Sequence, residues 1–334
     1  MTLVELLIVI TVMTILIGVA LPVMKTSLES SRLREATRQV NTQFAVAKSI
    51  AVENGRGAGV WLDVEALPDD PTIHYASRLF LAEVAAPYAG DVVGATVRVD
   101  ANPVKTDSVY AYYHVALEPS GDSGSIFSLV APDDAIRFEY KGAYYIIDRP
   151  DATDPTTIRV PSPPAPASPP WIRVKARLNY DPAPPAGLVR YQVLRKPQKS
   201  SSTALELPKG TVIDLTNSGF GLTGRGFGSA SASICVLFAP GGSVARLMVD
   251  GQFVAPTQTM HMLVGSIEKL AEPGVFGTSA NTNLEDHTNL WVSIAHQTGR
   301  VTTSDNGWFQ EATFDASLAR AREFAQSSQA KGGR

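Results

Sequence analysis

The sequence contains one cysteine, Cys235, so no disulfide forms within the chain, and a fold of this length must be held by its core. Charge is also sparse. Only 18% of the 334 residues are charged and the net charge is −3, which excludes the strongly basic footprint of a general nucleic-acid binder. The five histidines, His74, His114, His261, His287 and His296, lack the paired spacing of a zinc hydrolase and read as strand or loop polars. No lysine or arginine precedes Lys25, so the basic n-region of a secretory signal peptide is missing. What the chain does have is 44% apolar residues, 26 glycines and 23 prolines.

The apolar residues are concentrated at the start, where Glu5 stands alone in Met1-Thr2-Leu3-Val4-Glu5-Leu6-Leu7-Ile8-Val9-Ile10. Between residues 6 and 24 the only polar side chains are Thr11 and Thr14, a run of roughly the 20-residue length that spans a bilayer as a helix. A carboxylate at membrane depth costs about 2.5–3.5 kcal/mol and usually marks function. In a parallel stack of identical helices, Glu5 of one copy meets the Met1 amine of the next. At about 4 Å and an effective dielectric near 20 this attraction is roughly 4 kcal/mol before desolvation is subtracted. It also fixes axial register, so the acid reads as an assembly device. Pro22 removes an amide donor and crowds the carbonyl of Gly18, so residues 18–25 are expected to bend or extend within a filament.

The run Thr2-Leu3-Val4-Glu5-Leu6-Leu7-Ile8-Val9-Ile10, with Gly18 and Pro22 beyond it, resembles the start of a mature type IV pilin or type II secretion pseudopilin. The resemblance implies a prepilin peptidase that removes a short leader and N-methylates Met1, and an assembly role for Glu5. It implies helix packing through Leu3, Leu6, Leu7, Val9, Ile10, Met13 and Ile17, and a helix break at Gly18 and Pro22. It also implies an assembly platform, other pilins or pseudopilins as partners, a single-pass stage in the cytoplasmic membrane, and an extracellular or periplasmic filament afterwards. The numbering is taken as that of the mature chain.

After the apolar run, Leu33, Ala36, Val40, Phe44, Ala47 and Ile50 or Ala51 recur at helical spacing, and Gly55 and Gly57 stop the helix. Ser27, Ser30 and Ser31 are placed to cap it if it restarts after a break. Such a helix of 54 residues is roughly 80 Å long. Beyond residue 55 the sequence breaks into short β-rich runs separated by Gly, Pro, Asp and Asn. Strands are predicted at 60–64, 73–81, 96–99, 109–117, 136–140, 144–148, 171–178, 189–195, 212–215, 233–238, 245–249, 262–267, 290–296 and 300–303. Hairpins are read at 138–145 and 295–301. The predicted fold is therefore α+β, a long N-terminal helix at 1–55 followed by a mostly antiparallel sheet or sandwich head at 56–334.

Three segments, 207–215, 237–243 and 290–301, resemble H-type minor pseudopilins, which pair the helix with a β-sandwich-like head. The stretch from about 66 to 200 then reads as an inserted lobe, with a proline-rich linker at 161–170 and a stiff turn at 181–187. A last helix is expected over 315–329 with Asp315 as its cap, followed by a fraying end.

Enzyme-like strings are weak, and the chain is read as a non-enzyme. Gly219-Phe220-Gly221-Leu222-Thr223-Gly224 spells a dinucleotide fingerprint without the helix and downstream acid it needs. Gly121-Asp122-Ser123-Gly124 matches a serine-protease neighbourhood without a placed His and Asp. No cofactor is expected. Glu285, Asp286 and His287 with Asp305 offer a group that can touch a cation such as calcium, although solvated turns are the favoured reading of these residues. Arg320, Arg322, Lys331 and Arg334 form a small cationic cluster that makes DNA binding a lesser alternative. Cys235 reads as a buried strand thiol. Taken together, these features point to a structural subunit of a type IV pilus-like filament or pseudopilus, with major and minor roles left open. The alternative from another class is a membrane-anchored adhesin or glycan binder using Trp61, Trp171, Trp291 or Trp308.

Overall fold

The structure is a computed structural model that describes residues 3–90, 92–117, 134–148, 171–178, 181–224, 227, 233–250, 252–254, 256–272, 274–275 and 281–330. Within these, the side chains at 4–5, 15–27, 116–117, 171–172, 252–254 and 328–330 lie outside the description. The chain divides into two compact units, Met1–Glu83 with Lys199–Arg334, and Val84–Gln198. The second is an insertion in the first. It begins at Val84, so residues 66–83, expected within the lobe, belong to the first unit.

The first unit is built on α1 (Leu3–Asn54), which spans about 78 Å at 1.5 Å per residue. Gly55, at φ +61°, ends it in the left-handed conformation that L-residues avoid. Leu33, Ala36, Val40, Phe44, Ala47 and Ala51 form the buried stripe, packed against strands of two antiparallel sheets.

One sheet joins β1 (Ala58–Asp63), β4 (Arg78–Glu83), β12 (Gln198–Lys199), β13 (Leu205–Glu206), β15 (Ser233–Phe238), β16 (Val244–Val249) and β17 (Gln252–Val254) in the order β12-β4-β1-β15-β16-β17, with β13 also on β4. Gly59 of β1 has to be glycine, because a Cβ there would sit 2.0 Å from the Val236 carbonyl oxygen on β15.

The other sheet joins β2 (Glu65–Leu67), β3 (Asp70–Ala76), β14 (Thr211–Phe220), β18 (Met260–Ser266), β19 (Leu290–Ile294) and β20 (Val301–Asp305), in the order β2-β3-β14-β18-β19-β20. Successive side chains point to opposite faces of a strand. On β18, Met262 and Val264 therefore join the α1 core, while Leu263 joins Trp291, Leu318, Ala321 and Ala325 beneath α2 (Phe314–Ala330). Helices on both faces explain why β18 is buried at six consecutive positions.

The second unit carries β5 (Thr96–Val99), β6 (Lys105–Thr106), β7 (Tyr110–Leu117), β8 (Ala135–Phe138), β9 (Tyr145–Asp148), β10 (Trp171–Arg177) and β11 (Gly187–Leu194). The order β10-β9-β8-β11-β5-β7 closes on itself through β7–β10 pairing, with β6 added on β7. The result is a six-stranded antiparallel barrel. Its β8–β9–β10 run, with β11 returning beside β8, is a Greek key. Val97, Val115, Ile136, Phe138, Tyr145, Val174, Tyr191 and Val193 fill its interior. Closure leaves the six strands no free edge.

The expected α+β class is corrected by these observations. Strands hold 40% of the residues and helices 22%, so the chain is mostly β, and one of its sheets is a closed barrel rather than part of a sandwich head. The segment 73–81, read as one strand, is two strands in different sheets. The chain turns out at Ser77, whose Oγ donates to Glu65 at 2.7 Å and whose carbonyl accepts from the Leu207 amide at 3.0 Å. β14 continues to Phe220, past the expected end at 215, across an irregular register between Asp214 and Gly219. The α2 cap is Thr313, whose Oγ1 accepts from the Ala316 amide at 3.2 Å, in place of Asp315. Both expected hairpins form, as β8–β9 and β19–β20. The linker at 161–170 lies outside the described residues.

Candidate functional site

The first third of α1 has no apolar neighbour among the described residues. Leu3, Leu6, Leu7, Ile8, Val9, Ile10, Val12 and Met13 range from 50% exposed at Val9 and Val12 to 81% at Leu3. At 3.6 residues per turn these positions point in every direction, so no polar face exists for water. Thr11 Oγ1 donates to the Leu7 carbonyl and Thr14 Oγ1 to the Ile10 carbonyl, each at 2.8 Å. The two hydroxyls of the run thus need no outside partner, which suits an apolar surrounding. Covering eight such side chains is worth on the order of 10 kcal/mol, taking about 1.5–3 kcal/mol for each full burial and discounting what is already covered.

Leu3, Leu6, Leu7, Val9, Ile10 and Met13 are therefore gathered on one exposed rod. The side chains of Glu5 and Ile17 lie outside the described residues, as does Met1. The backbone is helical through Gly18 and Pro22. A proline costs this helix one amide bond, and a single copy supplies nothing to pull the turn open; the break expected at 18–25 concerns a packed filament. Ser27, Ser30 and Ser31 thus lie within a continuous helix. Among the described residues, no helix is long and apolar enough to cross a membrane. The expected single-pass anchor finds no support there.

The other candidates resolve into structural roles. The carbonyls of Gly221 and Gly224 accept from Arg322 Nη1 at 3.0 and 2.9 Å, and Asn217 accepts from Nη2 at 2.8 Å. This glycine loop therefore presents oxygens to a cation, whereas a phosphate cradle presents N–H groups. Arg322 is fully buried, with its guanidinium 5.6 Å from the Trp291 ring centre, and so leaves the cationic cluster. Arg320 pairs with Glu323 at 2.9 Å, and Lys331 and Arg334 lie outside the described residues. Ser123 and its neighbours also lie outside them.

Asp286 is held by Lys269 at 2.6 Å and by Thr288, and Glu285 accepts from the Thr282 amide at 3.1 Å. Among the described residues no group of three or more His, Cys, Asp or Glu is arranged to hold a metal ion. A cavity of about 230 Å³ beside Arg32, Lys209 and Lys269 also carries Glu29, Glu268 and Asp286, so its charges balance. Cys235 is fully buried, and burial raises its thiol pKa, which makes it inert.

Trp291 is fully buried and donates to Asn306 Oδ1 at 3.0 Å. Trp61 is half-buried with Lys199 Nζ 5.7 Å from its ring centre, Trp308 packs at the edge of the α2 core, and the Trp171 side chain lies outside the description. The tryptophans thus line no common groove among the described residues.

Two features escaped the sequence. The first is the buried network beneath α2. His261 Nδ1 lies 2.8 Å from Ser293 Oγ and its Nε2 lies 3.2 Å from Gln326 Nε2. Burial, followed by the charge of Arg322, pushes its pKa down to about 3. Asp214, fully buried, accepts from the Asn217 amide at 3.1 Å and from Asn283 Nδ2 at 3.2 Å, and burial raises its pKa. The second is the concentration of tyrosine in the barrel. Nine of the ten tyrosines fall within residues 84–198, a signal that counting by region reveals.

Comparison with family models, with curated proteins and with solved structures finds no match.

Proposed function

We propose that the chain is a structural, non-enzymatic subunit of a type IV pilus-like filament or type II secretion pseudopilus, assembled through the first third of α1. The observation that carries this reading is the all-round apolar exposure from Leu3 to Met13, with its threonines satisfied internally. Such a rod requires cover, and parallel copies of itself supply apolar contact on every side. The sequence adds the lone Glu5, which the next copy's Met1 amine neutralises, and this pairing sets the axial step. Before assembly the rod is held at the cytoplasmic membrane, where a prepilin peptidase exposes and methylates Met1 and an assembly platform adds the subunit to the filament. The head then faces outward on the filament surface.

The test is electron microscopy of purified protein beside a Glu5→Val variant. The reading expects filaments from the native chain and few or none from the variant. Filaments of unchanged yield and symmetry from Glu5→Val remove the role of Glu5, and a native chain that remains a monomer overturns the assignment. Mass spectrometry of the N-terminus is expected to find methylated Met1; a retained leader contradicts the proposed processing.

A further inference from the structure

The barrel's outer face along β7 and β10 carries chemistry that filament assembly does not use. β7 alternates Ala111, Tyr113 and Val115 inward with Tyr110, Tyr112 and His114 outward. Opposite them, β10 places Arg177 beside Tyr110, Lys175 beside Tyr112 and Arg173 beside His114. The Tyr110 and Tyr112 ring centres are 6.3 Å apart, with Arg173 5.1 Å from the Tyr112 centre and Lys175 5.3 Å from the Tyr110 centre. Asp107 accepts from the Tyr112 hydroxyl at 2.8 Å, and Asp148 pairs with Arg173 at 2.6 Å. The Asp107 carboxylate, which accepts from the Val109 and Tyr110 amides, and the paired Arg173 hold both rings in fixed positions on a closed barrel.

We infer that this tyrosine seam is a binding surface for neutral glycan chains. A sugar ring offers an apolar C–H face and a rim of hydroxyls that both donate and accept. The seam offers two pre-ordered aromatic rings in a row with donors (Lys175, Arg177) and acceptors (Asp107, Asp148) alongside. Tyrosine suits such a role because it supplies large contact area at low entropy cost. The charge balance selects the ligand class. Lys105, Arg173, Lys175 and Arg177, with Arg98 on the next strand, give five cations. Asp100, Asp107, Asp148 and Asp181 give four carboxylates, so the face lacks the excess positive charge that attracts a nucleic acid. Burial lowers the pKa of His114, so it adds no charge near neutral pH. This surface lies wholly within residues 84–198 and does not depend on the filament reading.

The test is calorimetric titration of the full chain with maltohexaose, cellohexaose and chitohexaose, and with a thymidine oligonucleotide for comparison. The expected result is binding of at least one hexasaccharide with Kd under about 1 mM, little changed when salt rises about tenfold. Tyr110→Ala and Tyr112→Ala should each weaken it roughly tenfold, the usual cost of losing a stacked ring. Tyr112→Phe, which keeps the ring, and Tyr140→Ala, an exposed tyrosine in the β8–β9 turn, should leave it within about threefold. Should an alanine variant fail to fold, Arg177→Ala at its exposed position takes its place and should also weaken binding. No hexasaccharide binding, salt-sensitive binding of the oligonucleotide alone, or equal loss in Tyr140→Ala would overturn the assignment.

Discussion

The two ends of α1 are built from the same kinds of residue and meet opposite surroundings. From Leu33 to Ala51 the apolar side chains recur on one face, and that face is fully covered by two sheets. From Leu3 to Met13 they occupy every face and none is covered. Sequence spacing accounts for the difference. A stripe at i, i+3, i+4 matches a flat sheet, whereas an unbroken apolar cylinder matches only a ring of neighbours or a lipid phase. One end of the helix completes the first unit's own core, and the other is left uncovered, the face that the proposed reading assigns to contacts between copies.

The largest effect expected from this contrast is at Phe44, which is fully buried and packs edge-on to Phe238 at 6.4 Å. Phe44→Ala should cost about 3–5 kcal/mol in chemical denaturation. Next comes Arg322→Met. It leaves the carbonyls of Asn217, Gly221 and Gly224 without their buried donor, and about 3 kcal/mol should be lost, with α2 amides exchanging faster.

A pH-graded effect, small near neutrality, follows from His261. Its folded-state pKa of about 3 lies below the ordinary value of 6.5, so the unfolded chain binds the extra proton between those limits. Stability therefore falls as pH drops from about 6.5 toward 3, at a slope of up to about 1.4 kcal/mol per pH unit. Asp214, with its raised pKa, contributes in the opposite direction at acid pH. The difference in slope between the native chain and His261→Gln isolates the histidine. The smallest effect is at Leu7, where Leu7→Ala should change head stability by less than about 0.5 kcal/mol while reducing filament yield. A stability loss at Leu7 comparable to that at Phe44 would break the contrast.

Much of α1 was legible because helical periodicity is a local property. The stripe through Leu33, Val40 and Phe44 and the stop at Gly55 follow from spacing and backbone preference alone. Several strands and two hairpins were legible for the same reason. The barrel was not, because closure depends on β7 meeting β10 across some 60 residues of sequence, and no local pattern encodes that pairing. The split at Ser77 was hidden because Ile73, Tyr75, Leu79 and Leu81 keep one alternating spacing across it; only sheet membership separates the two strands. At the site, the exposed rod was visible as an apolar run. Arg322 was misplaced in a surface cluster because nothing local shows that Asn217, Gly221 and Gly224 turn their carbonyls toward it.

The most direct measurement is hydrogen exchange on the amides of residues 3–13, comparing assembled material with the chain dispersed in detergent-free buffer at low concentration. Strong protection appearing only with polymer growth, together with α1 helices at the filament axis by electron microscopy, is the predicted result. Protection that is the same in monomer and assembly, or assembly that persists after residues 1–28 are removed, would contradict it.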